Sequence, residues 1–481
     1  MLRKLARKWW FWVGAAGFLF VALVVGGIYA EREITRARGE ARRDAVVRRL
    51  DAEEPGWRLH DLAAAHNAAL PPPDQNAADR MEKADALIPQ AFHDWAMTKM
   101  WQPDLRPGVL PTEQDVRRAS AVHCECGAAL AVARSIRSHP RGGFPFAFKD
   151  LDPVGSLTPH LDKLGRVTTL LFLDAVVLSY QGRTDEAIES CHALLNCGRA
   201  IGDEPYPISQ GVRMTKARFA AHAAEKVLGW GEPVKGLAEL QDAFAEEMKA
   251  PRLTYVFRGQ RAMAYHYLQN MDEGRISLAD DDTTLPADES PLRRFKFWRF
   301  RKDLPRQQAI VLEKCDEWLA ANKLDGLARR QAFRKVPFPD DPAALQKDII
   351  AVLMTMTWDR LVDTEDETRA ELGAIAAGIA CERYRQRFGR WPESLGAIPK
   401  DILPEVPNDP YTGRPLLYAA TGDGVVVYAT GPDGIDDGGT HLDPRGAPGT
   451  DIGFRLLDPD QRRQLPPPDP EPDGPPPERR P

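Results

Sequence analysis

The 481-residue chain has no phosphate-binding Gly-rich loop ending in Lys-Ser/Thr, no Gly-x-Ser-x-Gly elbow and no His-Glu-x-x-His helix. No catalytic motif therefore announces an enzyme, although a site built from unmarked residues in the helical region stays open as an alternative. Excess charge is also lacking: a net charge of -6 gives no general argument for nucleic acid. Cysteine is sparse. Six residues, Cys124, Cys126, Cys191, Cys197, Cys315 and Cys381, permit disulfides without specifying a pairing. The tightest group, His123-Cys124-Glu125-Cys126, is not matched by a second ligand pair at zinc spacing, and neighbours two apart on a helix face different ways. Ten histidines are scattered. His60 and His66, six apart, fall about 120° off a common helical face, so they are not expected to share a metal. Carboxylates abound, but without a fold none can be named as acid or base.

Long apolar runs are scarce too, and the single one, Trp9 to Ala30, is therefore informative. Roughly 20 such residues span a bilayer as a helix, and its clustered tryptophans suit the headgroup level. A cleaved signal peptide is the rival reading, with Ile28 and Ala30 before Glu31, but its apolar core runs to only ~7 to 15 residues. The expectation is a transmembrane helix at 9–30 behind a basic cytoplasmic head at 1–8 that carries Arg3, Lys4, Arg7 and Lys8. The far flank is basic as well, through Arg32, Arg36, Arg38, Arg42 and Arg43, so charge asymmetry alone does not orient the helix. Glu31, Glu33 and Glu40 dilute that second cluster, which leaves export of the long C-terminal part as the simpler topology.

From 31 to about 360 the pattern is helical, interrupted by Leu-Pro-Pro-Pro-Asp at 70–74 and by the glycines and prolines of 141–148. The clearest piece is 166–195. Val167, Leu170, Leu171, Val177 and Leu178 recur at helical spacing, Gly182 can end that helix, and Thr184 or Asp185 can cap the next. Ala187, Ile188, Cys191, Leu194 and Leu195 continue the period, predicting two antiparallel helices. This hairpin resembles one tetratricopeptide unit, with small Ala175 and Ala187 where helices approach. Amphipathic segments follow at Phe219, Ala220, Ala223 and Val227, then at Leu237, Leu240, Phe244 and Met248, without a repeated signature. A general helical scaffold is preferred over a true array.

At 293–302 every residue is basic or aromatic: Arg293, Arg294, Phe295, Lys296, Phe297, Trp298, Arg299, Phe300, Arg301 and Lys302. Such a segment suits an anionic membrane surface, and beside an anchor that reading outranks nucleic acid. The plain alternative is that the rings pack on a neighbouring helix with basic stems laid over them.

From Thr368 the pattern changes. One helix carries Leu372, Ile375, Ile379 and Tyr384 on one face and stops at Gly389 and Pro392. Prolines follow, then a strand at Leu416 to Ala420, a Gly-Asp-Gly turn and a strand at Val425 to Thr430. Tyr384, Gly389, Trp391 and Pro392, then Leu403 and Pro404, then Asp409, Pro410, Tyr411 and Gly413, then Tyr418, Tyr428, Gly431, Asp433 and Gly434 stand in a recognisable order. Over about 368–439 it resembles the C-terminal half of the major pseudopilin of type II secretion systems. The resemblance implies a small α+β module and a structural calcium ion in the loop after the hairpin, at Asp433, Asp436 and Asp437. Calcium takes six to eight oxygen ligands, which such a loop can supply; the same Gly-Asp-rich letters also describe a solvated turn. The family's glutamate at the fifth position of the membrane helix is missing, since Gly17-Phe18 would place Ala22 there. That departure argues against polymerisation into a pseudopilus.

The fold class expected is mainly α: a transmembrane helix, a helical scaffold at 31–360, a pseudopilin-like α+β module at 361–457, and a Pro-rich disordered tail at 458–481. The function expected is interaction or structure at the bacterial inner membrane with the C-terminal part extracytoplasmic, partnered by the membrane and other envelope proteins. An accessory role in a secretion or pilus-like assembly is the alternative that the tail module suggests.

Overall fold

The computed structural model describes residues 2–97, 108–156, 158–276, 298–336, 348–355, 358–439 and 451–466. Residues 293–297 of the basic-aromatic segment and 467–481 of the tail lie outside them. The chain is mostly helical, with one antiparallel three-stranded sheet late in the sequence. In chain order the helices are α1 (Leu2–Glu53), α2 (Leu59–Ala68), α3 (Ala77–Asp85), α4 (Gln90–Met97), α5 (Glu113–Glu125), α6 (Gly127–Ser135), α7 (His160–Tyr180), α8 (Thr184–Arg199), α9 (Pro207–Trp230), α10 (Leu237–Met248) and α11 (Arg252–Glu273). They continue with α12 (Leu304–Asn322), α13 (Gly326–Phe333), α14 (Ile349–Thr355) and α15 (Trp358–Phe388).

At ~1.5 Å per residue α1 is ~78 Å long, far more than a bilayer needs. Among the described residues it is the one helix long and apolar enough to cross a membrane, and its apolar window is wholly unburied. Phe18, Leu19, Phe20, Val21 and Leu23 all stand exposed. Its other end behaves differently: Val46 and Leu50 are buried with Trp57 and with Leu312 of α12. One continuous helix thus carries an apolar rod at one end and a core-forming face at the other.

The predicted hairpin forms as α7 and α8. Gly182 turns the chain at φ +79°, a left-handed conformation that glycine adopts without cost from a Cβ, and the Arg183 amide donates to the Leu178 carbonyl at 2.9 Å. The cap expected at Thr184 or Asp185 does not form. Thr184 is already helical and the preceding Arg183 makes no side-chain cap. Asp185 instead accepts the amides of Val234 and Lys235 at 2.7 and 3.0 Å, fastening the α9–α10 connection onto α8.

Two large apolar clusters fill the body. The first joins α3, α6, α7, α8, α9 and α10 to the later part of α15 and the sheet; the second joins α11, α12 and α14 to the start of α15. α15 therefore runs through both, contributing Trp358 and Val362 to one and Ala370 through Tyr384 to the other. The boundary expected at 360/361 falls inside this helix, and the strands share a core with the helical region.

Where α9, α10, α11 and α15 meet, an ion network replaces apolar packing. The Arg252 guanidinium, fully buried, donates to Glu365 at 2.7 Å and to Glu247 at 2.9 Å. Arg213 donates twice to Glu247, at 2.8 and 2.7 Å, and Arg369 donates to Glu365 at 2.7 Å. Burial alone would raise the Glu247 carboxyl; the charges of Arg213 and Arg252 outweigh it and hold the group down at about 2.

The hairpin is β1 (Leu417–Thr421) and β2 (Gly424–Ala429), with Thr421 opposite Gly424 across a two-residue turn. A third strand, β3 (Ile452–Leu457), which the sequence did not signal, pairs antiparallel with β2. Gly378 of α15 lies against the Phe454 ring, where any Cβ would overlap it. The Asp409-Pro410-Tyr411-Thr412-Gly413 run has a clear physical job. Asp409 accepts the Tyr411 amide at 2.7 Å and the Thr412 hydroxyl at 3.0 Å, closing its own turn. It also accepts the Thr430 hydroxyl at 2.8 Å, pinning that turn to the end of β2.

The tail expected to be disordered from 458 is ordered through 466, which corrects that boundary. Two arginines explain the order. Arg462 is buried and donates to Glu382 of α15 at 2.9 Å and to the Gly231 carbonyl at 2.8 Å. Arg463 donates to the carbonyls of Ser179, Tyr180 and Trp230 at 3.1, 2.8 and 3.2 Å. Tyr180 and Trp230 are the last residues of α7 and α9, where helical oxygens lack an intrahelical donor and cations are favoured.

Candidate functional site

The strongest site built by the sequence is the seam where the long N-terminal helix α1 enters the body. Arg32 to Arg49 recur along α1, and their ambiguous basic cluster resolves into partners. Arg36 donates twice to Asp272 of α11, at 2.7 and 3.1 Å, and Arg43 lies 3.7 Å from the same carboxylate. Arg42 donates to Glu313 of α12 at 3.0 Å, and Arg49 pairs with Asp316. Glu54, one residue past α1, receives Arg258 and Arg261 of α11. Backbone approach is close as well: a Cβ at Gly39 would sit 2.9 Å from the Arg306 amide nitrogen.

The described part of the basic-aromatic segment closes the apolar end of this seam. The Trp298 ring lies 4.9 Å from Tyr29, with the Arg32 guanidinium 4.5 Å above it. Lys302 pairs with Glu31, and Phe300 packs against the second core. Rings packed on a neighbouring helix with basic stems around them describe these residues well. They sit where the apolar rod of α1 gives way to its charged half.

The predicted calcium residues occupy one loop after β2. Asp433 accepts the Ile435 amide at 3.0 Å. Asp436 accepts the Tyr428 hydroxyl and the Gly438 amide, both at 2.9 Å. The Asp437 amide donates to Asp451 at 3.1 Å, and the Gly439 amide donates to the same oxygen at 2.8 Å. Asp451, which the sequence reading missed, is buried; its other oxygen, Oδ1, has no hydrogen-bond partner. Burial, with the negative charges of Asp436 and Asp437 nearby, raises its carboxyl above the ordinary range. A buried carboxylate oxygen left bare beside two more acids is chemistry that suits a hard cation. No sequence signal singled out Asp451, because it lies beyond the hairpin in a stretch with no motif.

The other flagged residues separate. His66 is buried between Asp203 at 2.7 Å and the Phe144 carbonyl at 2.8 Å, while His60 stays exposed, 3.2 Å from Asp150. His123 of the His-Cys-Glu-Cys group turns to Asp174, a wholly buried acid also held by Arg134 and Ser190. All six cysteines are free thiols, Cys124 exposed and the others buried; burial pushes Cys126 up to about 11. The buried thiols, raised in this way, are protonated and chemically inert at neutral pH.

Comparison of the chain with protein-family models, with curated proteins and with solved structures gives no match.

Proposed function

We propose that this chain is a single-pass inner-membrane protein of the bacterial envelope whose extracytoplasmic body is an interaction scaffold held in a fixed pose at the bilayer. The observation that carries this reading is the continuity of α1. The helix passes without a break from its exposed apolar part into ion pairs with α11 and α12. A cleaved signal peptide has no reason to continue as one rod into the folded body, whereas an anchor that must orient its cargo does. The arginines after the apolar run serve the body as counter-charges, so the head before it is left to set orientation. Trp298 to Lys302, with residues 293–297 preceding them, would lie at the headgroup level and meet anionic lipid.

The order of α15, the Asp409 turn and the β1–β2 hairpin supports a second, narrower reading, that the C-terminal part is a pseudopilin-like module and the chain an accessory of a type II secretion or pilus-like assembly. In that reading Asp433, Asp436 and Asp437, joined by Asp451, hold a calcium ion that closes the loop against β2. Calcium at millimolar concentration then raises the melting temperature of the full chain, and the rise disappears when Asp433, Asp436 and Asp437 are changed to Ala. No rise, or an equal rise in that variant, rejects the calcium assignment.

Crosslinking in intact cells followed by mass spectrometry tests the function. Envelope proteins among the partners support the scaffold, secretion components among them favour the narrower reading, and exclusively cytoplasmic partners reject both.

A further inference from the structure

A second cluster of ligand-type side chains is drawn from three distant segments. α2 and α11 meet over a small apolar floor of Leu59, Ala63, Phe146, Tyr206, Ala262 and Met263. Next to Leu59 stands His60; beyond Met263 stands His266; after Phe146 and Phe148 the chain reaches Asp150. The His60 and His266 Nε2 atoms lie 3.2 and 3.0 Å from Asp150 Oδ1. All three ligand atoms fall within 4.8 Å of one another. The two imidazoles meet nearly at right angles, 5.3 Å apart, and Phe148 presents its ring to both.

The loop that supplies the carboxylate is pinned from below. Asn270, wholly buried, donates to the carbonyls of Asp150 and Leu151 at 2.7 and 3.2 Å. His266 Nε2 also lies 2.8 Å from the Asp150 carbonyl, the contact that holds its ring in place without a metal. Zinc binds imidazole nitrogen and carboxylate oxygen at ~2.0 to 2.2 Å, so tetrahedral ligands stand ~3.3 Å apart. The spacings of 3.0 and 3.2 Å are already close to that edge. Two neutral imidazoles and one carboxylate suit a borderline cation of the zinc class better than calcium or magnesium, which want oxygen alone.

We propose that His60, Asp150 and His266 bind one divalent cation of the zinc class, with water in the fourth position. The cation staples α2 and the loop that carries Asp150 to α11. Because α2 follows α1 directly and α11 holds α1 through Asp272 and Arg261, the staple would stiffen the corner where the anchor turns into the body.

The test uses the full chain in detergent micelles, stripped with EDTA and carrying Cys124→Ser so that the exposed thiol does not compete. Zinc chloride is titrated by calorimetry and by thermal unfolding. The expected result is one zinc per chain with a rise in melting temperature that magnesium does not produce. His60→Ala and His266→Ala each weaken binding by about tenfold or more and abolish the rise, whereas His139→Ala leaves both intact. His60 is exposed, so its variant folds even where His266→Ala does not. Cobalt substitution gives an independent readout: visible bands of a tetrahedral site present in the parent and absent in His60→Ala. Unchanged zinc affinity in His60→Ala, or no zinc-dependent stabilisation of the parent, overturns the proposal.

Discussion

Two sets of arginine–carboxylate pairs hold this molecule together, and they do so on different terms. Along the outer part of the seam between α1 and its neighbours the pairs are open to water, as with Arg42 and Glu313 at 48% and 30% exposed, while Arg36 and Asp272 are more enclosed. At the junction of α9, α10, α11 and α15 the pairs are sealed, with Arg252 and Glu365 both at 0%. An exposed pair gains little, because water already solvates both charges and salt screens them. A sealed pair is costly to assemble and costlier to break, because removing one partner leaves the other charge stranded. The seam can thus be many weak pairs in a row that tolerate the loss of any one. The junction depends on each member.

The difference can be pressed from its strongest end. Arg252→Ala takes the shared partner from Glu247 and Glu365, leaving them only Arg213 and Arg369, and is expected to destabilise the full chain by about 3 to 5 kcal/mol in denaturant unfolding. An effect below about 1 kcal/mol would mean that the junction is not the keystone described. The same network predicts an acid response. Glu247 has a folded value of about 2 against an ordinary 4.5, so its contribution is complete above about 4.5 and is lost as pH falls toward 2. Subtracting the stability profile of Glu247→Gln from that of the parent should therefore give a difference that is flat above pH 5 and shrinks below it. A difference that grows on acidification contradicts the sign. Between the extremes lies packing: Gly378→Ala drives a methyl into Phe454 and should cost about 1 to 3 kcal/mol, with Phe454→Leu in the same chain recovering part of it. Smallest is the seam. Arg42→Ala should change stability by at most about 1 kcal/mol, and the change should fade in high salt. A salt-insensitive loss as large as that of Arg252→Ala would erase the distinction between the two regions.

Much of the secondary structure was legible because its signals are local. The α7–α8 hairpin follows from apolar spacing and Gly182, and the β1–β2 hairpin from two apolar runs across Gly422-Asp423. The membrane-type helix follows from one long apolar run. What escaped was whatever depends on a distant partner. Asp185 has the right letter and position for a cap, yet amides of the α9–α10 connection claim it. β3 is short and stands beyond a Pro- and Gly-rich stretch at 443–449 that reads as loop, and it gains its place by pairing with β2. Arg462 and Arg463 sit in a stretch whose composition reads as disorder, and they are ordered by Glu382 and by carbonyls at two helix ends. The candidate sites divide in the same way. Asp433, Asp436 and Asp437 are neighbours in sequence and could be noticed as letters, while Asp451, buried with one oxygen unpartnered, could not.

By itself the sequence determined the elements whose cause lies within a dozen residues: an exposed apolar rod, amphipathic helices, a tight hairpin and an acidic loop. Hydrophobic period and glycine or proline punctuation act over that range, so they can be read in one dimension. The tertiary structure alone decided that α15 passes through two cores, that Arg36, Arg42 and Arg49 after the apolar run face acids of other helices, and that His60 meets Asp150 and His266. A charge or an imidazole carries no mark of its partner. Only the packing of apolar faces, which brings distant segments to a common floor, selects which polar groups will touch.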